Sequence, residues 1–260
     1  MIEEVEFSSL EEYLSEVQKL PEQWGMLPSG IWYRGVNCTH YSLLPGCTWR
    51  NINTDLEHSF VLEFVVNYRT YYKNEIENPL ELYALMQHYG MPTRLLDWSA
   101  SALVALYFSL EKESPSKHVV WAMSPVELNL ITTGADSHFV PSHSKSDCFV
   151  SNWLPLGLRK DRKAQIPESP IAIKHPHVNY RIKAQKGCFT FHGTSSLGVE
   201  KYFENAGSNL IKKLILSDSC LREELLSQLH ALGFKEDDIY QDLNSLSSRI
   251  IREQSVLVET

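Results

Sequence analysis

Apolar residues recur along this chain with two different periods, and the switch between them outlines the architecture. Leu10, Tyr13, Leu14, Val17 and Leu20 fall on one helical face behind Ser8-Ser9-Leu10-Glu11, which reads as a capping box. The spacing predicts a first helix with an acidic outer face, ending near Pro21. Thr54-Asp55-Leu56-Glu57 reads as a second capping box, and Phe60, Val61, Phe64, Val65 and Tyr68 carry that helix to about Tyr72. Asn78-Pro79 opens a third, with Leu82, Tyr83, Leu85 and Met86 inside. Ala102, Leu103, Ala105, Leu106 and Phe108 predict a largely buried helix capped by Asp97 or Ser99. Ser219 to Leu232, stopped by Gly233, and a last stretch over Asp237 to Arg252 complete the helical set.

Between these stand short apolar or β-branched runs: Ile31-Trp32-Tyr33, His118–Met123, Ile171–Ile173, Cys188–Phe191 and Leu210–Leu216. The second is apolar on both faces and reads as a central strand. Residues 124 to 170 lack a clear period and read as a long ordered loop or a small helical insert. No linker or internal repeat interrupts the chain. The expectation is an α+β fold over residues 1–260, a single domain with helices wrapped around a modest, mostly antiparallel sheet.

The densest polar chemistry lies in Leu82–Leu110, where Gln87, His88, Tyr89, Arg94, Asp97 and Trp98 crowd an elbow between two helical patterns. Gly90 permits the left-handed turn that ends one helix, and Pro92 stops its continuation. Arg34 follows the Ile31–Tyr33 run and precedes Gly35, a setting from which a guanidinium reaches a bound anion while Gly lets a ligand near the backbone.

Charge adds one local feature. The chain carries a net charge of -8, which argues against broad coating of nucleic acid. Yet eight Lys and Arg lie between Arg159 and Lys186 (among them Arg159, Lys163, Arg181 and Lys183), opposed only by Asp161 and Glu168. A phosphate-bearing ligand or nucleic acid suits such a stripe, as does a plain solvated loop. The five scattered cysteines form no CxxC pair, the acidic start lacks the pattern of a signal peptide, and no apolar run approaches a membrane span. A reduced, cytoplasmic setting without membrane contact is expected.

Several chemistries lose ground on motif alone. His175-x-His177 and Cys38-x-His40 are the only close ligand pairs, and neither has further ligands at recognisable spacing, so no metal is expected. The G-x-S-x-G elbow, the P-loop and the G-x-G-x-x-G loop are all missing. What remains is arginine-centred recognition of a phosphate-bearing cofactor by Arg34, Arg94 and Arg181, with Tyr33, Tyr89, Trp98 and Phe189 as stacking surfaces. The plain alternative makes His88, Arg94 and Asp97 a buried structural network.

Three pieces together resemble the FRG domain family: Trp32-Tyr33-Arg34-Gly35 with Leu44-Pro45-Gly46; Gln87-His88-Tyr89-Gly90-Met91-Pro92-Thr93-Arg94-Leu95-Leu96-Asp97-Trp98; and Arg181 to Phe189 with Gln185 and Gly187. In order and spacing the resemblance runs over about residues 8 to 250. The chain departs from the family in reading Ser99-Ala100-Ser101-Ala102 where a Pro usually follows the Ser-x-Ser. The resemblance implies bacterial and phage-associated relatives, some of them toxins in antiphage defence, and a similarity to the ADP-ribosyltransferase fold. In that fold a first-strand Arg or His contacts NAD, an aromatic stacks on nicotinamide, and a carboxylate near a later strand polarises the ribose. Carried over, NAD is the expected cofactor, Arg34 and Arg94 hold its pyrophosphate, and Tyr33 or Tyr89 stacks, with Gly35 and His88 beside them. Gln185 stands where a Glu is expected, leaving Asp97 as the substitute carboxylate and Gln185 to orient the acceptor. Arg159, Lys163, Arg181 and Lys183 would receive an RNA, DNA or protein acceptor, and a neutralising antitoxin is an expected partner. Two rivals stand beside this: an RNA-cleaving nuclease using His88, Arg94 and His192, and a non-catalytic module sensing a nucleotide or a partner.

Overall fold

The computed structural model describes residues 1–141, 148–159, 161, 163–174 and 180–255. Among them are seven strands: β1 (Glu3–Phe7), β2 (Trp32–Val36), β3 (Leu95–Ser99), β4 (Val119–Met123), β5 (Ile171–Ile173), β6 (Gly187–Phe191) and β7 (Ile211–Leu216). They form one sheet in the order β1-β7-β4-β2-β3-β6-β5, with β1 parallel to β7 and every other pair antiparallel. The fold is α+β, with helices on both faces of a mostly antiparallel sheet.

Side-chain alternation divides the strand residues between separate cores. Tyr33, Val120, Ala122, Leu214 and Leu216 pack with the helices Leu10–Trp24, Ala102–Leu110 and Arg222–Ala231. Trp32, Trp98, Trp121, Met123 and Ile211 face the other way, toward Leu128 of the helix Pro125–Thr133 and Phe203 of the helix Val199–Ala206. Leu95, Ile171, Phe189 and Phe191 join a third cluster with Val61, Tyr83 and Met86 from the helices Thr54–Asn67 and Pro79–His88. β4 is buried at all five positions, as its two-sided apolar pattern requires.

Local signals explain most element ends. Ser9 caps the first helix by accepting from the Glu12 N–H, while Glu12 reaches back to Ser8. That helix continues through Pro21 to Trp24 and stops at left-handed Gly25, past the expected end. Asn53, not Thr54, caps the second helix, which ends at Asn67 before a short 3-10 turn over Tyr68–Thr70. Asn78 caps the third helix as the pattern predicts, and Gly90 turns left-handed (φ 84°) after it. Two expectations fail more deeply. The second half of the elbow is not a turn into a helix but the strand β3, and the cap of the helix Ala102–Leu110 is Ser101. The stretch after β4, expected to be a long ordered loop or a small helical insert, begins with the helix Pro125–Thr133 between Ser124 and left-handed Gly134. The final helical stretch is broken in two, Glu236–Tyr240 and Leu243–Ser255, by left-handed Gln241.

The sheet is irregular at its centre. β2 pairs with β4 over five residues, and β3 pairs with β6 over five. Between them β2 and β3 share a single pair, Tyr33 with Ser99. The two central strands therefore part beyond that contact, and the middle of the sheet opens.

Candidate functional site

The opening is a cleft of about 390 Å³. β2 supplies Tyr33, Arg34 and Gly35; β3 supplies Asp97, Trp98 and Ser99; the helix Pro79–His88 supplies Gln87 and His88. Arg181, Ile182 and Gln185 come from the helix Tyr180–Ala184 and the turn behind it, and Gly187 and Phe189 from β6. Phe108, Glu111 and Lys112 close it from the end of the helix Ala102–Leu110. All three sequence stretches that carried the resemblance thus reach one cleft.

Asp97 is the odd residue of β3: its four neighbours on the strand are buried and it is exposed. Among the described residues its carboxylate has no hydrogen-bond or ion-pair partner, although its charge acts on both Arg34 and His88. An unpaired carboxylate amid a central strand gives the core nothing, so its place is explained by the cleft it faces. Arg34 stands across the gap. Its Nη1 donates to the main-chain oxygen of Asp97 at 2.7 Å, filling part of the ladder that the parted strands leave open. The remaining guanidinium donors have no partner among the described residues. Burial holds its pKa below the ordinary arginine value, against the attraction of Asp97.

His88 shares the cleft. Burial lowers its pKa, the Arg181 charge lowers it further, and Asp242 and Asp97 oppose. The exposed Tyr89 ring meets the His88 ring edge-on at 4.9 Å. Gln185 is fixed at both ends: its main-chain oxygen accepts from the Ser99 hydroxyl at 2.7 Å, and its Nε2 donates to the Ile239 oxygen at 3.2 Å. Its Oε1 has no hydrogen-bond partner among the described residues. Tyr240 ties the far wall together, donating to Glu111 at 2.5 Å while the Arg181 guanidinium sits over its ring at 4.8 Å. Tyr33 is buried, which pushes its hydroxyl pKa up to about 12, so it stays neutral and brings no charge to the cleft.

Other expected site residues lie elsewhere. Arg94 is in the interior, 4% exposed, with Nε on the Glu57 carboxylate at 2.9 Å, Nη1 on the His192 oxygen and Nη2 on the Trp153 oxygen. Its main-chain N–H donates to the Tyr83 hydroxyl, which donates to Glu57. Burial opposes its charge, but Glu57 and its neighbours outweigh that and raise its pKa. Arg94 therefore does not reach the cleft. Its partner Glu57 escaped the sequence pattern, in which it serves as an ordinary capping-box glutamate.

Gly35 is explained by packing rather than by a ligand. A Cβ there would fall 1.8 Å from the Ala105 oxygen and 2.5 Å from the Ser109 nitrogen, so the residue lets the helix Ala102–Leu110 lie against β2. His192 is buried, with Nε2 3.1 Å from the Thr190 hydroxyl, and burial between Arg94 and Arg34 drops its pKa to about 3. Among the described residues of the basic stretch, only Arg181 lines the cleft; Arg159 is buried on the Asn152 and Ala164 oxygens, while Lys163 and Lys183 are exposed. Lys160, Arg162, His175 and His177 lie outside the described residues. Glu111 and Lys112 were missed, because nothing in their sequence context separates them from a solvated helix end.

Among the described residues, no cluster of three or more His, Cys, Asp or Glu is placed to hold a metal, and no helix is long and apolar enough to cross a membrane.

With this geometry in place, the chain can be compared with known proteins. Residues 29–118 match the family model of the FRG domain, so the chain carries an FRG domain. The match contains Arg34 and Asp97 and ends before Arg181, although β6 and Gln185 belong to the same sheet and cleft. No curated protein and no solved structure gives a significant match.

Proposed function

We propose that the cleft binds NAD and serves ADP-ribosyl transfer to an acceptor, and that the chain acts as a cytoplasmic toxin or effector of antiphage defence, held in check by a neutralising protein partner. The observation that carries this reading is the convergence of Arg34, Asp97 and Gln185, from segments more than 60 residues apart, on a cleft opened by the parting of two central strands. The reading takes residues 1–260 as one unit, because strands before and after the matched segment complete the sheet.

The donor set fits such a cofactor. Arg34 and Arg181 present guanidinium N–H groups suited to a diphosphate. Tyr33, Phe108 and Phe189 form an apolar wall for a flat ring. Asp97 offers unengaged acceptor oxygens to ribose hydroxyls, and His88, kept neutral by its lowered pKa, adds no charge beside them. Bound there, NAD would supply a glycosidic bond with nicotinamide as its leaving group. The carboxylate of Asp97 would then provide the negative charge that such a cleavage calls for, and the amide of Gln185, held at Nε2, would offer Oε1 to the incoming acceptor. A glutamine in this position cannot act as a base, which places that demand on Asp97 or on the acceptor itself.

The test is incubation of the purified protein with NAD and, in turn, RNA, single-stranded DNA and cell lysate, followed by mass analysis and a nicotinamide assay. Release that disappears in Asp97→Asn and Arg34→Ala supports the reading. Absence of release with every acceptor, together with no NAD-dependent rise in melting temperature, overturns it. RNA fragmentation without NAD would point instead to nuclease chemistry, and thermal stabilisation without release to a binding module.

A further inference from the structure

Four tyrosines of the described residues hold their rings open to solvent: Tyr41, Tyr71, Tyr89 and Tyr180. Three of them are on the cleft lining or next in sequence to a residue that is. Tyr41 lines the cleft, Tyr89 packs its ring on cleft-lining His88, and Tyr180 opens the helix that carries Arg181. Exposed cations are gathered beside them: Lys112 on the lining itself, and Lys183 and Lys186 on the segment around Gln185. In a chain of net charge -8, such grouping is local arrangement rather than general excess.

One exposed aliphatic face lies elsewhere. Leu56, Leu62, Val65 and Val66 are exposed on the helix Thr54–Asn67, and none of them lines the cleft. The mouth sets these rings and cations around a cleft that also holds the carboxylates of Asp97 and Glu111, and its aliphatic lining residues Val36 and Ile182 are only half-exposed; rings open to water with cations beside them suit stacked bases and phosphates better than a protein surface. The functional groups line a cleft where two strands part, and a base free of its partner can enter such a cleft where a paired one presents only its edge. We infer that the acceptor recognised at this mouth is a single-stranded nucleic acid. Tyr41, Tyr89 and Tyr180 would stack its bases, and Lys112, Lys183 and Lys186 would follow its backbone. The inference rests on the cleft being a transfer site, and it narrows the acceptor to one class.

The experiment is fluorescence anisotropy of the full chain with labelled single strands of roughly a dozen nucleotides, RNA and DNA, and with a duplex of the same sequence, in the absence of NAD. Single strands are expected to bind more tightly than the duplex, and affinity to fall with salt. Tyr89→Ala and Tyr180→Ala should each weaken binding about fivefold or more, whereas Tyr71→Ala, exposed after the 3-10 turn Tyr68–Thr70 and next to no lining residue, should leave it unchanged. Lys183→Ala with Lys186→Ala should flatten the salt dependence. All these side chains are exposed, so folding is not at stake, and circular dichroism confirms that. Duplex binding as tight as single-strand binding, tyrosine variants that behave like Tyr71→Ala, or no binding at low salt would overturn the inference; a protein acceptor would then take its place. Because NAD is absent, a failure here is separate from a failure of nicotinamide release.

Discussion

Arg34 and Arg94 both belong to motif-like stretches and both look, in sequence, like anion ligands. The fold treats them in opposite ways. Arg94 is closed in by a carboxylate, two main-chain oxygens and the Phe191 ring, every neighbour fixed by another element. Arg34 has one main-chain partner and otherwise faces a cleft. The difference lies in how the strands pair. Arg94 immediately precedes β3, whose five residues pair fully with β6, and its own oxygen accepts from the His192 N–H. Arg34 lies on β2 just where pairing to β3 has lapsed. A guanidinium in a continuous ladder is enclosed by it, and one at a gap keeps donors for something else. The interior pair holds together what the cleft leaves open.

The strongest way to break this comparison is to remove the interior pair. Glu57→Ala or Arg94→Ala leaves an uncompensated charge in a buried site and should cost about 3–5 kcal/mol. The double variant should cost less than the sum of the two, since the second substitution removes the stranded charge. Chemical denaturation followed by fluorescence measures both. If Arg94→Ala were tolerated as easily as a surface change, the division between frame and cleft would not hold.

The next effect comes from acid. His192 has a folded-state pKa of about 3, far below its ordinary value, because burial and the two flanking arginines disfavour its charge. The unfolded chain therefore binds this proton first. Its contribution to stability is complete above the unfolded pKa near 6.5 and is lost as the pH falls toward 3, a change of order a few kcal/mol. In His192→Asn the denaturation midpoint should fall less steeply across that window than in the wild type. Parallel profiles would show that carboxylates alone set the acid limb.

Gly35→Ala tests the glycine of the same motif as Arg34. Its added methyl meets backbone atoms that a side-chain rotation cannot clear, so β2 and the helix Ala102–Leu110 must separate, at a cost of about 1–3 kcal/mol. Were the glycine there only to admit a ligand, stability would hold and ligand binding alone would suffer.

These tests also show which parts of the molecule could be read before folding. The apolar runs of β2, β4, β5 and β7 were legible because those strands bury side chains on a plain pattern. β1 was not, since Glu3, Glu4 and Glu6 make Glu3–Phe7 resemble a solvated tail; ion pairs to Lys212, Lys213 and Lys117 let an acidic edge strand form. β3 was hidden for a related reason. Leu95–Ser99 abuts a helical pattern and contains an aspartate, and only tertiary pairing with β6 makes it a strand. At the site, Arg34, Asp97 and Gln185 were legible as motif residues, but the opposite placement of Arg94 was not. It depends on Glu57, a residue 37 positions earlier with no local sign of being buried.

Arg34→Ala should have the smallest effect on stability. The substitution removes one hydrogen bond from a half-buried side chain to the Asp97 oxygen, worth about 1 kcal/mol, and strands no carboxylate in an ion pair. It should nevertheless strongly weaken NAD-dependent thermal stabilisation, and nicotinamide release with it, because it removes one of the two guanidiniums proposed to hold the diphosphate and leaves Arg181, packed over the Tyr240 ring, alone. Arg34→Lys sharpens the point: it restores the charge but not the fork, and should recover stability without recovering the ligand response. A large loss of stability in Arg34→Ala would instead make this arginine a second structural strut. The parting of β2 and β3 would then be a defect bridged by a side chain rather than an entrance to a site.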